Sequence, residues 1–323
     1  MAIAVKNFRH LYGPVPSRRL GRSLGIDLVP HKVCTYDCIY CQIGETTERT
    51  FLRKEYIPQE EILEEVQAFL NKDLPIDHFS LSGSGEPTLH SNIRSVIEGI
   101  KNLSPVPVAV ITNGSLLYDE EVRGDLLRAD LVLPSLDAVS PEVFLKVNRP
   151  PPGLSVEEVI EGMVEFRKIY KGRIWLEILF CKGVNDTRRE IERMREAVEQ
   201  IQPDLLHLNT VVRPPSEKWV RPLGRAEMEE IQSFFGEKAS IISEFDRPLP
   251  PTSEKDISEK ILRILRRRPL SLTDLSKGMG ISPKALEEHM GLLVEEGKIE
   301  VRSFRETVYY EISKGSGPNR IKS

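Results

Sequence analysis

The sequence predicts an α/β fold in which six strand–helix units precede a small winged-helix domain. Short runs rich in Val, Ile and Leu alternate with amphipathic segments of helical period, as expected when helices cover both faces of parallel strands. This alternation ends at a polar, Pro-rich segment, residues 246–254, which is typical of a domain boundary. Beyond it, three helical segments and two alternating strands predict the winged helix.

Six strands are predicted before the Pro-rich segment, at 25–30, 77–83, 107–114, 129–137, 173–180 and 203–212. The helices between them are predicted at 58–72, 89–103, 119–128, 141–148, 155–171 and 187–201. The first helix shows the pattern clearly, because Pro58 stands near its start and Ile62, Val66 and Phe69 fall on one apolar face. Repeated units of this kind build either an open doubly wound sheet or a barrel, and six are too few to close an eightfold barrel.

The C-terminal domain is predicted to contain a basic helix at 256–268, a second helix from Ser271, a third from Ser282 and a hairpin. The third helix of a winged-helix domain often reads the major groove of DNA. Here it carries Lys284 against four glutamates, which repel phosphate: Glu287, Glu288, Glu295 and Glu296. Duplex DNA is therefore not the favoured partner, and protein contact, substrate presentation or dimerisation is at least as well supported. RNA stays an alternative partner, because a protein can recognise RNA without using that helix.

Length and composition set the limits of this organisation. The 323 residues allow one large and one small domain, with predicted bounds of 1–245, 255–313 and a disordered tail at 314–323. The hydrophobic fraction of 40% and the charged fraction of 29% exclude a disordered or coiled-coil chain. No apolar run reaches the ~18 residues of a membrane span, and the N-terminal segment has no secretory signal core, so we expect a cytoplasmic protein without membrane contact. The net charge of −4 gives no global basic field for nucleic acid.

Three of the four cysteines lie close together and are the main candidates for a metal centre. Cys34, Cys38 and Cys41 are spaced as Cx3Cx2C, and thiolates at such spacing hold zinc or iron–sulfur clusters. Structural zinc takes a fourth protein ligand, which neither the distant Cys181 nor a ligand-spaced pair of histidines supplies. The spacing therefore favours an iron–sulfur cluster with one open iron, and a zinc-structured binding module stays as an alternative.

This motif resembles the signature of the radical S-adenosylmethionine (radical SAM) superfamily, including Tyr40 before the last cysteine. The resemblance covers about residues 13–212, where GPVPSRRLGRSLG and SGSGEPTLH look like a subgroup named only as iron–sulfur oxidoreductases, distantly similar to wyosine-forming tRNA enzymes. It implies a partial (βα)6 TIM-like barrel that holds a [4Fe-4S] cluster on the three cysteines. It also implies reductive cleavage of S-adenosylmethionine to a 5′-deoxyadenosyl radical, which abstracts hydrogen from an unidentified substrate. A reductant such as ferredoxin or flavodoxin would supply the electron.

The resemblance also implies where S-adenosylmethionine binds. In the loop Ser82–Pro87, the glycines permit close backbone approach and Glu86 matches the family's GGE motif, which binds the methionine amino group. Ser84 stands where that triplet has its first glycine. Further contacts are implied in the loops after the strands, which should converge on one mouth. The implied cofactor-binding residues are Tyr40, Gly83, Gly85, Glu86, Asn113, Ser135, Asp137 and Asn185.

Several other residues allow more than one interpretation. Asp137 can instead cap the following helix, and Cys181 is expected to be a small core residue rather than a hydrogen donor. Arg18, Arg19 and Arg22 are expected to face the cluster or an anionic substrate. Segment 213–225, with its arginines and Trp219, either covers the substrate or simply connects two elements.

The sequence leaves the catalytic residues unidentified, and the substrate open between RNA, protein and small molecule. An iron–sulfur redox sensor that binds DNA or RNA is the alternative function. The acidic third helix and the cofactor-like loops count against that alternative.

Overall fold

The structure, a computed structural model, describes residues 8–72, 74–242, 257–266, 268–279, 281–305 and 307–313. The predicted linker at 246–254 and the predicted tail at 314–323 lie outside these residues, as do the domain boundaries predicted at 245 and 255. The described residues comprise a βα unit and a winged helix.

The strands of the βα unit are β1 (Leu11–Ser17), β2 (Gly21–Ile26), β3 (Val33–Cys34), β4 (Glu48–Arg49), β5 (His78–Leu81), β6 (Val108–Thr112), β7 (Leu131–Pro134), β8 (Arg173–Phe180), β9 (Leu205–Thr210) and β10 (Ala239–Ile241). Its helices are α1 (Gln59–Leu70), α2 (Ile93–Leu103), α3 (Glu120–Leu126), α4 (Pro141–Val147), α5 (Val156–Ile169), α6 (Arg188–Ile201) and α7 (Arg225–Phe235). The winged helix comprises α8 (Ile257–Leu265), β11 (Leu270–Ser271), α9 (Leu272–Met279), α10 (Pro283–Glu295), β12 (Ile299–Phe304) and β13 (Thr307–Ile312).

Eight strands form one sheet in the order β1-β2-β5-β6-β7-β8-β9-β10. Neighbouring strands are parallel, except that β1 is antiparallel to β2. The parallel strands follow one another in chain order, without the reversal that defines a doubly wound sheet. The α/β prediction is therefore confirmed, and the architecture is the partial barrel rather than the doubly wound alternative.

Sequence reasoning failed at the edges of the sheet. It placed the first strand at 25–30, whereas β2 spans Gly21–Ile26, and it missed β1, β10 and α7. The sequence of β1, LYGPVPS, contains two prolines, which are tolerated only in edge strands because they lack an N–H group for a ladder. The three residues of β10 are too few to show a strand pattern.

Polar side chains begin several of the helices. Ser155 and Glu158 form a capping box at the start of α5, and the side chains of Asp119 and Thr187 accept backbone N–H groups at the starts of α3 and α6. The apolar faces of the helices pack in one large core with the strands. No helix among the described residues has both the length and the apolar character needed to cross a membrane.

The winged helix has its own apolar core, in which Ile261, Leu286 and Leu293 are buried. Its sheet, in the order β11-β13-β12, contains the predicted hairpin. This core continues onto β1 through Val15, and the hydroxyl of Tyr309 donates to the backbone carbonyl of Val212, beyond β9, at 2.8 Å. The domain therefore bridges β1 and the segment after β9, near the two edges of the barrel sheet.

Candidate functional site

The three clustered cysteines lie beyond the carboxyl end of β2: Cys34 ends β3, and Cys38 and Cys41 lie in the loop that runs from β3 to β4, here called the cysteine loop together with Cys34. The short parallel pair of β3 and β4 closes this loop at its base. The C-terminal end of α4 anchors its middle, because the Asp37 N–H donates to the Asn148 carbonyl and the Ile39 N–H donates to the Val147 carbonyl, both at 3.0 Å. Backbone contacts therefore anchor the loop at its base and in its middle.

Each of the three sulfur atoms has an N–H group beside it. The contacts are Asn113 Nδ2 to Cys34 Sγ at 3.6 Å, Asn148 Nδ2 to Cys38 Sγ at 3.5 Å and Lys32 Nζ to Cys41 Sγ at 3.1 Å. N–H groups and an ammonium group favour the negatively charged form of a thiol. These N–H groups are placed to stabilise negative charge on the sulfurs, although burial raises the pKa of the free thiols of Cys34 and Cys38.

Lys32 supplies the positive charge beside the sulfur atoms. It is buried, with only 3% of its surface exposed. Burial acts to lower the pKa of its ammonium group, but the neighbouring sulfurs, Cys41 first, outweigh this and raise the pKa. Its backbone has φ of 60°, which is uncommon outside glycine. Sequence reasoning missed Lys32 and Asn148, since neither belongs to a short-range motif.

The glycine loop packs directly on the cysteine loop. The Lys32 N–H donates to the Ser84 carbonyl at 2.6 Å, and the Glu86 N–H donates to the Val33 carbonyl at 3.1 Å. A Cβ atom on Gly85 would lie 1.9 Å from that Val33 carbonyl oxygen. The absence of a side chain at Gly85 is therefore required by contact between two protein segments, whatever the loop also binds.

Glycine is required at position 83 for a different reason. Its φ is +113°, and a Cβ atom would lie 2.0 Å from Asp27 Oδ1. The same carboxylate oxygen accepts the Ser84 N–H at 2.9 Å. The glycine loop therefore bends around the carboxylate of Asp27. Sequence reasoning did not identify Asp27 as a residue of this site. The predicted cofactor contacts of Gly83 and Gly85 stay predictions.

Glu86 is buried, and its carboxylate accepts four hydrogen bonds from this chain. Oε1 accepts from the Thr88 N–H and hydroxyl at 3.1 and 2.6 Å and from the Thr112 hydroxyl at 2.6 Å, while Oε2 accepts from the Asn113 N–H at 2.7 Å. Burial raises the pKa of Glu86, and these hydrogen bonds oppose that effect. Only Oε2 keeps an acceptor position for a cofactor ammonium group.

Asn113 joins the turn after β6 to both loops. Its N–H binds Glu86, its Nδ2 donates to Thr35 Oγ1 at 2.7 Å, and its Oδ1 accepts the Ser115 N–H at 2.9 Å. Ser135 directly follows β7, and its N–H donates to the carbonyl of Thr112, the last residue of β6, at 3.1 Å. The ends of β5, β6 and β7 are thus brought together, as the parallel topology predicts.

Asp137 forms hydrogen bonds with the cysteine loop, through Tyr40, and with two neighbouring elements. Its Oδ2 accepts from the Tyr40 hydroxyl and from Asn148 Nδ2, the latter at 3.0 Å, and its Oδ1 accepts the Leu179 N–H at 2.9 Å. It does not cap α4, which begins after Ser140. Burial raises the pKa of Asp137. Asp137 therefore links the cysteine loop to α4 and β8.

Asn185 is fully buried within the turn after β8. Its Nδ2 donates to the carbonyls of Asp137 and Leu179, both at 2.8 Å, and its Oδ1 accepts the Cys181 N–H at 2.7 Å. Both amide donors are thus used inside the protein. The expectation for Cys181 is confirmed, because it is fully buried in an apolar cluster with Ile39.

The predicted arginines separate into two groups. Arg22 pairs with Asp77 at 3.0 Å, at the amino ends of β2 and β5, so it does not face the cluster, and its expected alternative, an anionic substrate, stays a prediction. Arg19 forms an ion pair with Glu177 of β8, and Arg18 Nη1 contacts Asn209 Oδ1 of β9 at 3.3 Å. Both side chains therefore reach strands on the far side of the barrel.

Segment 213–225 packs on the cysteine loop. The Ser216 hydroxyl contacts the carbonyls of Cys38 and Ile39 at 3.1 and 2.9 Å, and the Glu217 N–H donates to the Ile39 carbonyl at 3.1 Å. Trp219 is exposed at 47%. The segment therefore shields the cysteine loop from one side.

Three thiols are a donor set that both zinc and iron–sulfur clusters accept. Among the described residues, no three His, Cys, Asp or Glu side chains surround one point as the ligands of one metal ion do. Thiolates on a cluster bind different irons, and N–H groups near their sulfurs tune such clusters. Burial raises the pKa of Cys34 to about 12, so metal binding there would release a proton.

Comparison with known families agrees with this site. Residues 28–197, more than half of the chain, match the family model of the radical SAM superfamily. The chain is a member of the radical SAM superfamily. This membership makes the protein a radical SAM enzyme, and it implies both S-adenosylmethionine and an iron–sulfur cluster. Residues 259–301 match a second family model, described as bacterial regulatory protein, arsR family, in agreement with the winged helix.

Two relatives extend the similarity beyond the radical SAM domain. The chain is 34% identical over 309 residues to the UPF0026 protein of Methanocaldococcus jannaschii, covering 93% of this chain and 94% of the relative, so it also belongs to the UPF0026 proteins. It is 37% identical over 311 residues, or 94% of this chain, to a protein of Brachyspira hyodysenteriae named GTPase Obg. The chain spans only 45% of that protein's length.

Among solved structures, the fold of this chain is similar to that of SuiB of Streptococcus suis. The TM-score is 0.51 at 13% sequence identity, and the match covers 68% of this chain and 49% of SuiB. At this identity the likeness concerns the fold alone.

Replacing Gly85 with alanine should destabilise the protein by about 1–3 kcal/mol, because the added methyl group would overlap the Val33 carbonyl between the two loops. Gly124 in α3 is the matched control, since a Cβ atom there meets nothing within 4 Å. Gly124→Ala should stabilise the helix by about 0.5–1 kcal/mol. Chemical denaturation measures both effects, and equal stability of the two variants would contradict the proposed contact.

Proposed function

We propose that this radical SAM enzyme holds a [4Fe-4S] cluster on Cys34, Cys38 and Cys41 and uses it to cleave S-adenosylmethionine reductively. The observation that carries the proposal is the pairing of each sulfur with its own N–H donor, from Asn113, Asn148 or Lys32. Three thiolates leave one iron of a cubane without a protein ligand, which is the open position that a catalytic centre needs.

When bound, the cluster and S-adenosylmethionine supply a 5′-deoxyadenosyl radical that abstracts a hydrogen atom from the substrate. The chain's own residues bind and orient these groups. We assign the cofactor contacts to the strand-end loops, with Glu86 Oε2 as the acceptor for the methionine ammonium group. Tyr40, Gly83, Gly85, Asn113, Ser135, Asp137 and Asn185 complete the proposed cofactor site.

The winged helix contributes to the exclusion of water from this site. Phe304, at the end of β12, packs against the apolar cluster that contains Ile39 and is flanked by Tyr40. Reactive intermediates require such a dry environment, because water and oxygen otherwise quench them. We therefore assign the chemistry to residues 1–245 and a covering role to residues 255–313, with electrons supplied by a reductant of the ferredoxin or flavodoxin type.

The second candidate is a redox-sensing protein that binds DNA or RNA, and the similarity to arsR-family regulators favours it. Two observations oppose duplex binding. The glutamates of α10 are exposed, and the wing is engaged with the barrel, since Arg302 Nη2 donates to the Pro215 carbonyl at 3.3 Å and Arg305 Nη2 donates to the Leu223 carbonyl at 3.4 Å. We therefore favour the enzyme without a duplex DNA partner.

Anaerobic reconstitution with iron and sulfide should give about four irons per chain, and adding dithionite and S-adenosylmethionine should yield 5′-deoxyadenosine. Cys38→Ala should lose both the cluster spectrum and the product. Cys181→Ala should keep both, because Cys181 lies in the apolar core. A fully loaded protein that forms no 5′-deoxyadenosine would refute the proposal. One tightly bound zinc per chain without iron uptake would support the zinc-structured module instead.

Lys32→Met should make the cluster's reduction potential more negative by on the order of 50–100 mV, because the ammonium group beside Cys41 stabilises the more negative, reduced state. The exposed Lys182 is the matched control, and Lys182→Met should leave the potential unchanged. A redox titration followed by electron paramagnetic resonance measures both. Equal potentials in the two variants would contradict a role for Lys32 at the cluster.

A further inference from the structure

A cleft lies between the winged helix and the open side of the barrel. Val15, Arg18 and Arg213 line it from the barrel, while Arg268, Asp274 and Lys277 line it from the winged helix. The space inside is about 60 Å³, roughly four times the ~15 Å³ that one water molecule needs. The cleft therefore has room for a group of the size of phosphate.

The charges that line the cleft are strongly unbalanced. Three arginines and one lysine face a single carboxylate, that of Asp274. Neither Arg213 nor Arg268 forms a salt bridge among the described residues. Their neighbour Arg19 differs, because it is paired with Glu177. The charges of Arg213 and Arg268 are thus not neutralised by a salt bridge within the part of the chain that the structure describes.

Arg213 and Arg268 are the central residues of this cleft. The Nε of Arg213 is buried without a hydrogen-bond partner in the described structure, and its Nη1 has only a long contact of 3.5 Å with Gln42 Oε1. Burial, and then the repulsion of Arg213, lower the pKa of Arg268 to about 9. Converging guanidinium groups that lack a counter-charge are unfavourable, and an anion placed between them removes that cost.

We propose that this cleft is a binding site for the phosphate group of a small phosphorylated substrate. Guanidinium groups bind phosphate oxygens in pairs, and three of them converge here from two domains. The assignment of this phosphate to the substrate rests on the proposed function, whereas phosphate binding itself does not.

The position of the cleft connects it to the cysteine loop. Gln42, which Arg213 contacts, directly follows Cys41. On the other side, Arg18 contacts Asn209, whose Nδ2 donates to Glu177 Oε1 at 3.0 Å, so a line of polar groups runs from the cleft to β8 and β9. A phosphate held at the cleft would fix one end of the substrate while the rest extends along these groups, and such remote binding orients the reacting end.

Binding is tested by titrating inorganic phosphate into the full-length, cluster-loaded protein by calorimetry at constant ionic strength. We expect saturable binding of one phosphate per chain. Arg213→Gln and Arg268→Gln should each weaken it at least tenfold. Arg225→Gln is the matched control, because Arg225 is exposed and paired with Glu229 on α7, and this variant should bind as the parent protein does.

A variant with a higher phosphate affinity separates the proposal from misfolding, because a misfolded protein would lose affinity and not gain it. Asp274→Asn removes the one carboxylate of the cleft and should tighten phosphate binding severalfold. Equal affinity in the parent, Arg213→Gln and Arg268→Gln proteins would overturn the proposal, and so would acetate binding as tightly as phosphate. Formation of 5′-deoxyadenosine without substrate is measured on the same samples, so a failure of phosphate binding is distinguished from a failure of the radical chemistry.

Discussion

The contact between the cysteine loop and the glycine loop is the constraint on which the rest of the site depends. Two backbone hydrogen bonds, from Lys32 to Ser84 and from Glu86 to Val33, join the loops at a distance that leaves no space for a side chain on Gly85. Glu86 and Lys32 belong to these joined segments, and their side chains contact the Asn113 N–H group and Cys41 Sγ, respectively. The positions of the thiols and of the proposed cofactor acceptor are therefore coupled.

Two buried carboxylates extend this constraint across the ends of the strands. Glu86 connects the turn after β5 with the turn after β6, and Asp137 connects Tyr40 of the cysteine loop with β8 and Asn148. Their hydrogen bonds are satisfied within the protein, and leaving one such buried group unpaired costs about 1–3 kcal/mol. These residues thus orient the loops before any cofactor binds, which is the preorganisation that an enzyme site requires.

The winged helix acts as part of the barrel in this structure. Its hairpin is occupied by contacts with the segment after β9, and its core continues onto β1, so it joins regions near the two edges of an incomplete barrel. Three glutamates of α10 and the adjoining Glu296 face solvent, whereas Arg268 and Lys277 line the cleft. A domain similar to arsR-family regulatory proteins thus presents an acidic helix to solvent and cationic residues to the cleft.

The sequence by itself determined the α/β class, the internal strands, the winged helix and the Cx3Cx2C motif, because hydrophobic period and residue spacing are local properties. It did not determine the edge strands β1 and β10, where prolines and short length remove the local signal. Only the tertiary structure brought Lys32, Asn113 and Asn148 to the three sulfurs, and only it separated Arg22 from Arg18 and Arg19. The Asn113 and Asn148 contacts join residues 79 and 110 positions apart, beyond any sequence window, whereas Lys32 lies only nine positions from Cys41 but belongs to no motif that marks it.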